Sequence, residues 1–534
     1  MEEKSTTLEE LYAYLKRFSL SDSLFVIGVI NAALRYGFKE VQTDGIPAPT
    51  LRWLEIVCKK NIDRVSLSLH LTRLARFLIL SGTNDYKEPI LDTGSLELEK
   101  ALFLISTLFD REAEGDIKTS QDASRVFGRL VQWQFPLQTN RPTVIGRAQL
   151  LFIELSREVS ATYDVEQKMR EYYGVGAFEF IASGIALWIM STGVLKHNLT
   201  IEVDALKSIV TTESIRRFVE LSTGTPEDYR RGVRGEQWKE KNKLFDIYGL
   251  DPFLYMPAIK TTRTLRLEPN CYIVPQPFYL LQRSSLGIFY LLADHERKLS
   301  EAIDKKGRNL FRDTFGDVYR KYIAKNLDQA TGPTTFIDLD SDLEGIPDGI
   351  KIPDFAIVNE EIAILFEVKI SPFSATSRTI LNEESIKVDI ERNPGSYRKA
   401  MDQLTSFETA LKSKAITDKR FKNVTKIIKI LVCFEDIFLA NSLFLPLTRE
   451  LYGNETADNL QIVGISDVET IGAKLSSDQA LASLLWEKVT DPGLAEWGVG
   501  PFLTEKGAMK ESPVLQKAYE DIMSRMAGKG NLPI

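Results

Sequence analysis

Three charged side chains, Asp354, Glu367 and Lys369, interrupt two otherwise apolar runs between Ile352 and Ile370. The stretch reads as two short runs rich in β-branched and aromatic residues, split by the polar break Asn359-Glu360-Glu361, which is the pattern of a β-hairpin. Side chains of a strand alternate between its two faces. In the second strand Ile362, Ile364, Phe366, Val368 and Ile370 share one face, and Ala363, Leu365, Glu367 and Lys369 share the other. In the first strand Asp354 falls in the row of Ile352, Ala356 and Val358. A strand apolar on both faces is a buried strand, and charge there is costly unless it is paired or bound to something. Charged groups converging on such a surface are the local rule-breaking expected of a functional site.

Pro353-Asp354, twelve intervening residues, and Glu367-Val368-Lys369 together resemble the signature of the PD-(D/E)XK nuclease superfamily, which includes restriction endonucleases and many repair and phage-defence nucleases. Phosphodiester hydrolysis needs an activated water and neutralisation of phosphate charge, which divalent ions supply. Mg²⁺ prefers oxygen ligands, so two carboxylates and a backbone carbonyl suit it. The resemblance implies that Asp354 and Glu367 hold Mg²⁺ or Mn²⁺ with help from the Val368 carbonyl. It implies that Lys369 orients the attacking water and stabilises developing negative charge. On the helix that follows the hairpin, the family places a Lys or Gln near the metal, in a phrase similar to Lys399-Ala400-Met401-Asp402-Gln403-Leu404. By that likeness Gln403 contacts the water or the scissile phosphate, and Arg398 and Lys399 face nucleic acid.

The chain departs from the family at the first core helix, where an acid ordinarily follows an aromatic residue. The best match, Tyr319-Arg320-Lys321-Tyr322-Ile323, puts Arg320 at the acid's place. Asp313 and Asp317 lie off the face formed by Phe311, Phe315, Val318, Tyr319 and Tyr322. Asp317 is the remaining candidate for a third carboxylate, and the gap leaves open a nuclease-like fold that has lost its activity.

The elements that must position these residues follow one order. A helix spans Asn309 to Leu327, a strand Thr334 to Leu339, and then comes the hairpin. A polar loop with a short helix covers Ser371 to Asn393, a helix runs from Ser396 to Lys412, and strands run from Ile427 to Phe434 and from Leu460 to Ile465. This α-β-β-β-α-β order predicts a mixed sheet flanked by helices, as in a restriction-endonuclease-like domain. Ala400, Leu404, Phe407 and Leu411 form the core stripe of the helix after the hairpin. Between Ser396 and Lys429, nine basic residues stand against three acids, a local surplus suited to a phosphate backbone.

Upstream the periodicity is helical from Thr7 to about Asp110 and again from Val126 to Leu221, with no repeat period. The expected division is an α-helical domain at 1–125, a mainly α-helical domain at 126–298, the nuclease-like domain at 299–475 and a small helical extension at 476–534. Phe178 to Leu195 carries one charge, Glu179, but is read as a buried core helix and not a membrane span. Tyr229 to Lys243 is locally basic and reads as a solvated helix face that could touch phosphates. A strand is expected at Cys271 to Pro275, and a helix from Pro277 to Asp294.

Composition bounds the rest. The net charge of −7 advertises no global affinity for nucleic acid, so any such surface is local. The widely spaced Cys58, Cys271 and Cys433 fit reduced core residues of a cytoplasmic protein. His70, His197 and His295 are far apart in sequence, which argues against a histidine-ligated metal. No phosphate-binding Gly-x4-Gly-Lys loop or dinucleotide fingerprint occurs, so any ATP-driven step falls to a partner. The reading is a metal-dependent nuclease acting on DNA in restriction or phage defence, whose helical half senses a trigger, a partner protein or nucleic acid. Cutting two strands with one site per chain favours a homodimer. The alternative is an inactive nuclease-like subunit used for binding or assembly.

Overall fold

The computed structural model describes the chain except for residues 1–5, 42–43, 61–62, 83–87, 192–193, 196–209, 235–251, 261–271, 303–308, 372, 393–394, 478–479, 508–511 and 528–534. The architecture is mostly helical, with a larger mixed sheet in the C-terminal half.

The N-terminal helices are Leu8–Leu15, Leu20–Tyr36, Ala48–Lys59, Arg64–Ser81, Glu97–Asp116 and Ser120–Gln138. Local signals start several of them. Thr7 and Glu10 form a reciprocal capping box at the first, and the Asp63 carboxylate accepts the Val65 and Ser66 amides at the fourth. Leu24, Ile27, Ile30, Leu71, Leu74 and Leu78 are buried among the side chains that hold these helices together. The predicted core helix is Ala177–Met190, and its Phe180, Ile181, Ile185 and Leu187 are fully buried. Among the described residues no single helix is long and apolar enough to cross a membrane.

A four-stranded sheet joins the middle of the chain: β1 (Val194–Leu195), β2 (Thr223–Gly224), β3 (Ala258–Lys260) and β4 (Tyr272–Ile273), in the order β1-β4-β3-β2. Only β4 was expected; two- and three-residue strands carry too little alternation to be read from pattern. In the basic stretch, Pro226–Arg234 is a helix. Arg230 spends its guanidinium on the carbonyls of Ile79 and Gly82 (2.7 and 3.1 Å), while the expected helix around Trp238 lies outside the described residues.

The larger sheet contains β5 (Thr334–Asp338), β6 (Phe355–Asn359), β7 (Ile362–Lys369), β8 (Lys426–Cys433) and β9 (Leu460–Val463), in that spatial order. β5, β6 and β7 pair antiparallel; β7, β8 and β9 pair parallel. The hairpin forms as expected, with Asn359 opposite Ile362 and Glu360 at φ 51°, in the left-handed region that a two-residue turn demands. The alternation of β7 sorts its side chains between two cores. Ile362, Ile364 and Phe366 join the Leu310–Leu327 helix and the preceding helices, whereas Ala363 and Leu365 join the Ser396–Lys412 helix. Ala400, Leu404, Phe407 and Leu411 are the buried stripe of that last helix.

Three details differ from expectation. The segment after β7 is more ordered than a polar loop, with helices Ala375–Thr379 and Glu383–Glu391. An unforeseen helix, Ala440–Tyr452, carries β8 over to β9, as a parallel crossover requires. The boundary expected at 298–299 falls inside the Phe278–Ala302 helix. Phe289 and Leu292 of that helix share one core with Phe315 of the next helix and Phe366 of the sheet.

Candidate metal site at the end of the hairpin

β6 and β7 bring the acids together by register. Phe355 lies opposite Phe366, so the next position along the antiparallel pair sets Asp354 against Glu367. Directly opposed residues of an antiparallel pair point to the same face, with Cβ atoms about 5 Å apart. Asp354 Oδ2 accepts the Val368 amide at 2.7 Å, which ties the first acid to the strand bearing the second. The Lys369 ammonium donates to Glu367 Oε1, and to Gln403 Oε1 at 3.3 Å. The Gln403 amide in turn donates to the Ile352 carbonyl at 2.9 Å. Asp354, Glu367, Lys369 and Gln403 therefore form one connected group on the sheet face covered by the Ser396–Lys412 helix.

Electrostatics set this group apart. Glu367 is 1% exposed, and its Oε2 has no hydrogen-bond partner. Burial, reinforced by the neighbouring Asp354 charge, pushes the Glu367 carboxyl up to about 8. Burial also raises the Asp354 carboxyl, against the opposing pull of the Val368 amide, Lys369 and Arg320. A buried carboxylate facing a half-buried one resists joint ionisation unless a cation joins them.

Arg320 enters this site from the opposite side of the sheet. Its helix packs on the other core, yet the guanidinium reaches the strand ends and donates to Asp354 Oδ1 at 3.0 Å. It also donates to Asp338 Oδ1 and Oδ2 at 2.5 and 3.2 Å, and pairs with Asp340 at 3.0 Å. Its Cζ lies 4.6 Å from the Phe355 ring centroid. Arg320 is therefore a cation bound to Asp354, where an acid was looked for. The sequence marks Arg320 only as a departure from the expected acid; neither its reach to Asp354 nor Asp338 as its second partner was readable.

Asp317 is exposed on its helix; among the described residues it makes no hydrogen bond or ion pair with Asp354, Glu367 or Lys369, so the structure does not bring it to the site. Val368 makes its contact with the site through the amide. Arg398 and Lys399 are exposed on the helix of Gln403, and no ion pair among the described residues occupies them. The wider basic surplus is smaller than the residue count suggests. Lys412 and Lys429 both pair with Glu408, Arg420 with Asp418, and Lys426 with Glu361.

The donor set suits a hard divalent cation in part. Two opposed carboxylates, one with an oxygen left unfilled in a buried setting, are what Mg²⁺ or Mn²⁺ would take. Among the described residues no third His, Cys, Asp or Glu completes a metal-holding group with them. His70 accompanies Ser66 and His295 stacks on Tyr172 at 3.8 Å, both in the helical half; His197 lies outside the described residues. Comparison of the chain with protein-family models and with curated proteins returns no match.

Proposed function

We propose that the chain is a metal-dependent nuclease of the PD-(D/E)XK type, with DNA as its first substrate. One observation carries this reading: Asp354 and Glu367 face each other across β6 and β7 with Lys369 and Gln403 bonded beside them, and Glu367 keeps a buried oxygen unpartnered. Asp354 and Glu367 would hold Mg²⁺ or Mn²⁺, with the Val368 carbonyl as a further oxygen. The ion would supply neutralisation of phosphate charge and a water of lowered pKa.

The chain's own residues divide the remaining work. The Lys369 ammonium, held by Glu367 and Gln403, orients the attacking water and stabilises charge developing on the phosphate. Gln403 keeps Lys369 in register by bridging it to the Ile352 carbonyl. Arg398 and Lys399 offer free cations to the nucleic-acid backbone on the same helix. The setting that goes with this reading is cytoplasmic restriction or phage defence, with the helical half sensing a trigger or partner and two copies cutting two strands.

A second reading has its own support in Arg320. A cation already bound to Asp354 is what an inactive nuclease-like subunit, kept for binding or assembly, would tolerate. Plasmid DNA, single-stranded DNA and RNA, each offered with Mg²⁺ and with EDTA, separate the two. The nuclease reading expects cleavage that needs the metal and falls at least a hundredfold in Lys369→Ala, on the order of one lost transition-state donor. Equal cleavage by wild type and variant removes the catalytic assignment. Binding without cleavage, alone and with co-purified neighbours, favours the inactive subunit.

A further inference from the structure

We propose that the helical half carries a separate oxyanion site, a cavity walled by Arg35 and Arg64 with Arg141 beside Arg35 on the Trp188 ring, whose ligand is a phosphate group. The proposal does not depend on the nuclease reading.

The site lies where the two helical cores meet. Arg35 ends the Leu20–Tyr36 helix, Arg64 begins Arg64–Ser81, Arg141 begins Arg141–Gln149, and Trp188 is in the last turn of Ala177–Met190. The Arg35 guanidinium carbon is 5.0 Å from the Trp188 ring centroid and 4.8 Å from that of Phe278, and Arg141 lies 5.0 Å from the same Trp188 ring. Arg35 and Arg64 line a cavity of about 130 Å³ together with Asn31, Ser68, Gln276 and Phe278, large enough for one tetrahedral oxyanion.

The hydrogen-bond inventory says what is missing there. The neutral polar wall is closed on itself. Ser68 donates to Asn31 Oδ1 (2.9 Å), Gln276 donates to Ser68 and Thr72 (2.8 and 3.2 Å), and Asn31 donates to the Pro275 carbonyl (2.7 Å). What stays open are donors: Arg35 Nε at the cavity wall and, behind Arg35 and outside the cavity lining, the indole Nε1 of Trp188, which is 3% exposed, are both buried without an acceptor. A buried donor without an acceptor is costly, and both of these groups can only donate.

Charge points the same way. Among the described residues no carboxylate pairs with Arg35, Arg64 or Arg141. The nearest acid in sequence, Asp63, spends its oxygens on the amides of Val65 and Ser66 and the Ser66 hydroxyl. Arg64 has one donor on the Cys58 carbonyl at 2.7 Å and, among the described residues, the rest of its fork uncommitted. Three neighbouring cations, two of them (Arg35 and Arg141) on aromatic faces, have no carboxylate partner among the described residues, and call for an anion from outside. A phosphate dianion neutralises more of this charge than a carboxylate, and guanidinium forks match its oxygens in pairs. The cavity admits the phosphate alone, so any nucleoside or strand it belongs to would lie outside.

Calorimetric titration of the full chain in EDTA with inorganic phosphate, adenosine monophosphate and a single-stranded DNA with or without a 5′-phosphate tests the site. Phosphate is expected to bind and to raise Tm above a chloride control of equal ionic strength. Arg35→Gln and the exposed pair Arg64→Ala with Arg141→Ala are each expected to weaken binding at least tenfold, whereas Lys369→Ala leaves it unchanged. If Arg35→Gln fails to fold, the exposed pair decides. Tighter binding of the phosphorylated than of the bare strand, lost in the same variants, supports the site and identifies a strand end as its source. Absence of phosphate binding, binding indifferent to both variants, or binding lost only in Lys369→Ala overturns the proposal.

Discussion

Two buried carboxylates, each paired with a lysine, sit on the same face of the larger sheet and are finished differently. Lys429 of β8 is fully buried, and its ammonium meets Glu408 Oε2 at 2.6 Å and the Thr456 carbonyl at 2.9 Å, with Glu455 at 3.4 Å. The other oxygen of Glu408 is taken by Lys412 at 2.7 Å. Every lone pair and proton has somewhere to go, as a structural ion pair in a low-dielectric setting requires. Glu367 of β7 also meets a lysine, but it faces a second carboxylate and keeps one oxygen empty. The carboxylates are alike in burial, but the lysines are not: Lys429 is sealed in, whereas Lys369 is partly exposed, and only the first pair is complete. A closed pair serves the fold, and an open one is held in readiness for a ligand.

The sharpest way to break that contrast is to remove one acid from each pair. Glu408→Ala leaves Lys429 buried and unpaired, and is expected to cost about 3–5 kcal/mol by denaturant unfolding. Glu367→Gln replaces a buried carboxyl that lacks a full set of partners. The metal-free fold should then be unchanged or more stable, while Mg²⁺-dependent cleavage falls about a hundredfold or more. A large stability loss in Glu367→Gln with retained cleavage would make the two pairs alike.

The pH dependence sharpens the same point. Glu367 is protonated more readily in the folded chain than in the unfolded one, because its folded value of about 8 lies above the ordinary carboxyl value of 4.5. Between those values the folded state binds more protons, so metal-free stability falls as pH rises from about 4.5 through about 8, by up to about 1.4 kcal/mol per pH unit. Unfolding free energies across that window, with and without Glu367→Gln, check the sign. The variant should flatten the slope, and a wild-type slope of the opposite sign refutes the assignment.

Arg320 tests whether the open pair is held shut. Arg320→Met strips the cation from Asp354 and Asp338, and is expected to cost about 1–3 kcal/mol without metal. Added Mg²⁺ should then restore more stability than it gives the wild type, read as a larger metal-induced rise in Tm. An equal rise in both proteins would show that Arg320 and a divalent ion do not compete for Asp354.

How much of this was legible follows from how local each signal is. The hairpin, its facing and the buried stripe of the Ser396–Lys412 helix were readable because apolar alternation and helical spacing report burial directly, and β7 and the helix keep both patterns unbroken. Register then follows from a two-residue turn, which is why Asp354 and Glu367 could be paired on paper. The third position was not readable. Arg320 sits on a helix whose apolar face belongs to the other core, and only the length of its side chain carries it to Asp354. Periodicity describes where a Cα sits, not where a long side chain ends. The Ala440–Tyr452 helix escaped because Pro446 inside it mimics a break, and the short strands β1 to β3 because they pair only over distance.

The exposed rim gives the smallest expected effect and the finest distinction. Counting charges along the Ser396–Lys429 segment predicts a broad cationic surface, but Lys412, Arg420, Lys426 and Lys429 are neutralised within the fold. Arg398 and Lys399 are not, and they stand on the helix that carries Gln403. If these two touch backbone phosphates, Arg398→Ala with Lys399→Ala should weaken nucleic-acid binding evenly across sequences and flatten the slope of log affinity against log salt by about 2. Lys426→Ala, whose charge is already spent on Glu361, should leave that slope nearly untouched. Equal slopes for both sets would mean that the binding surface lies elsewhere, and that the sheet face with its open pair is reached from another side.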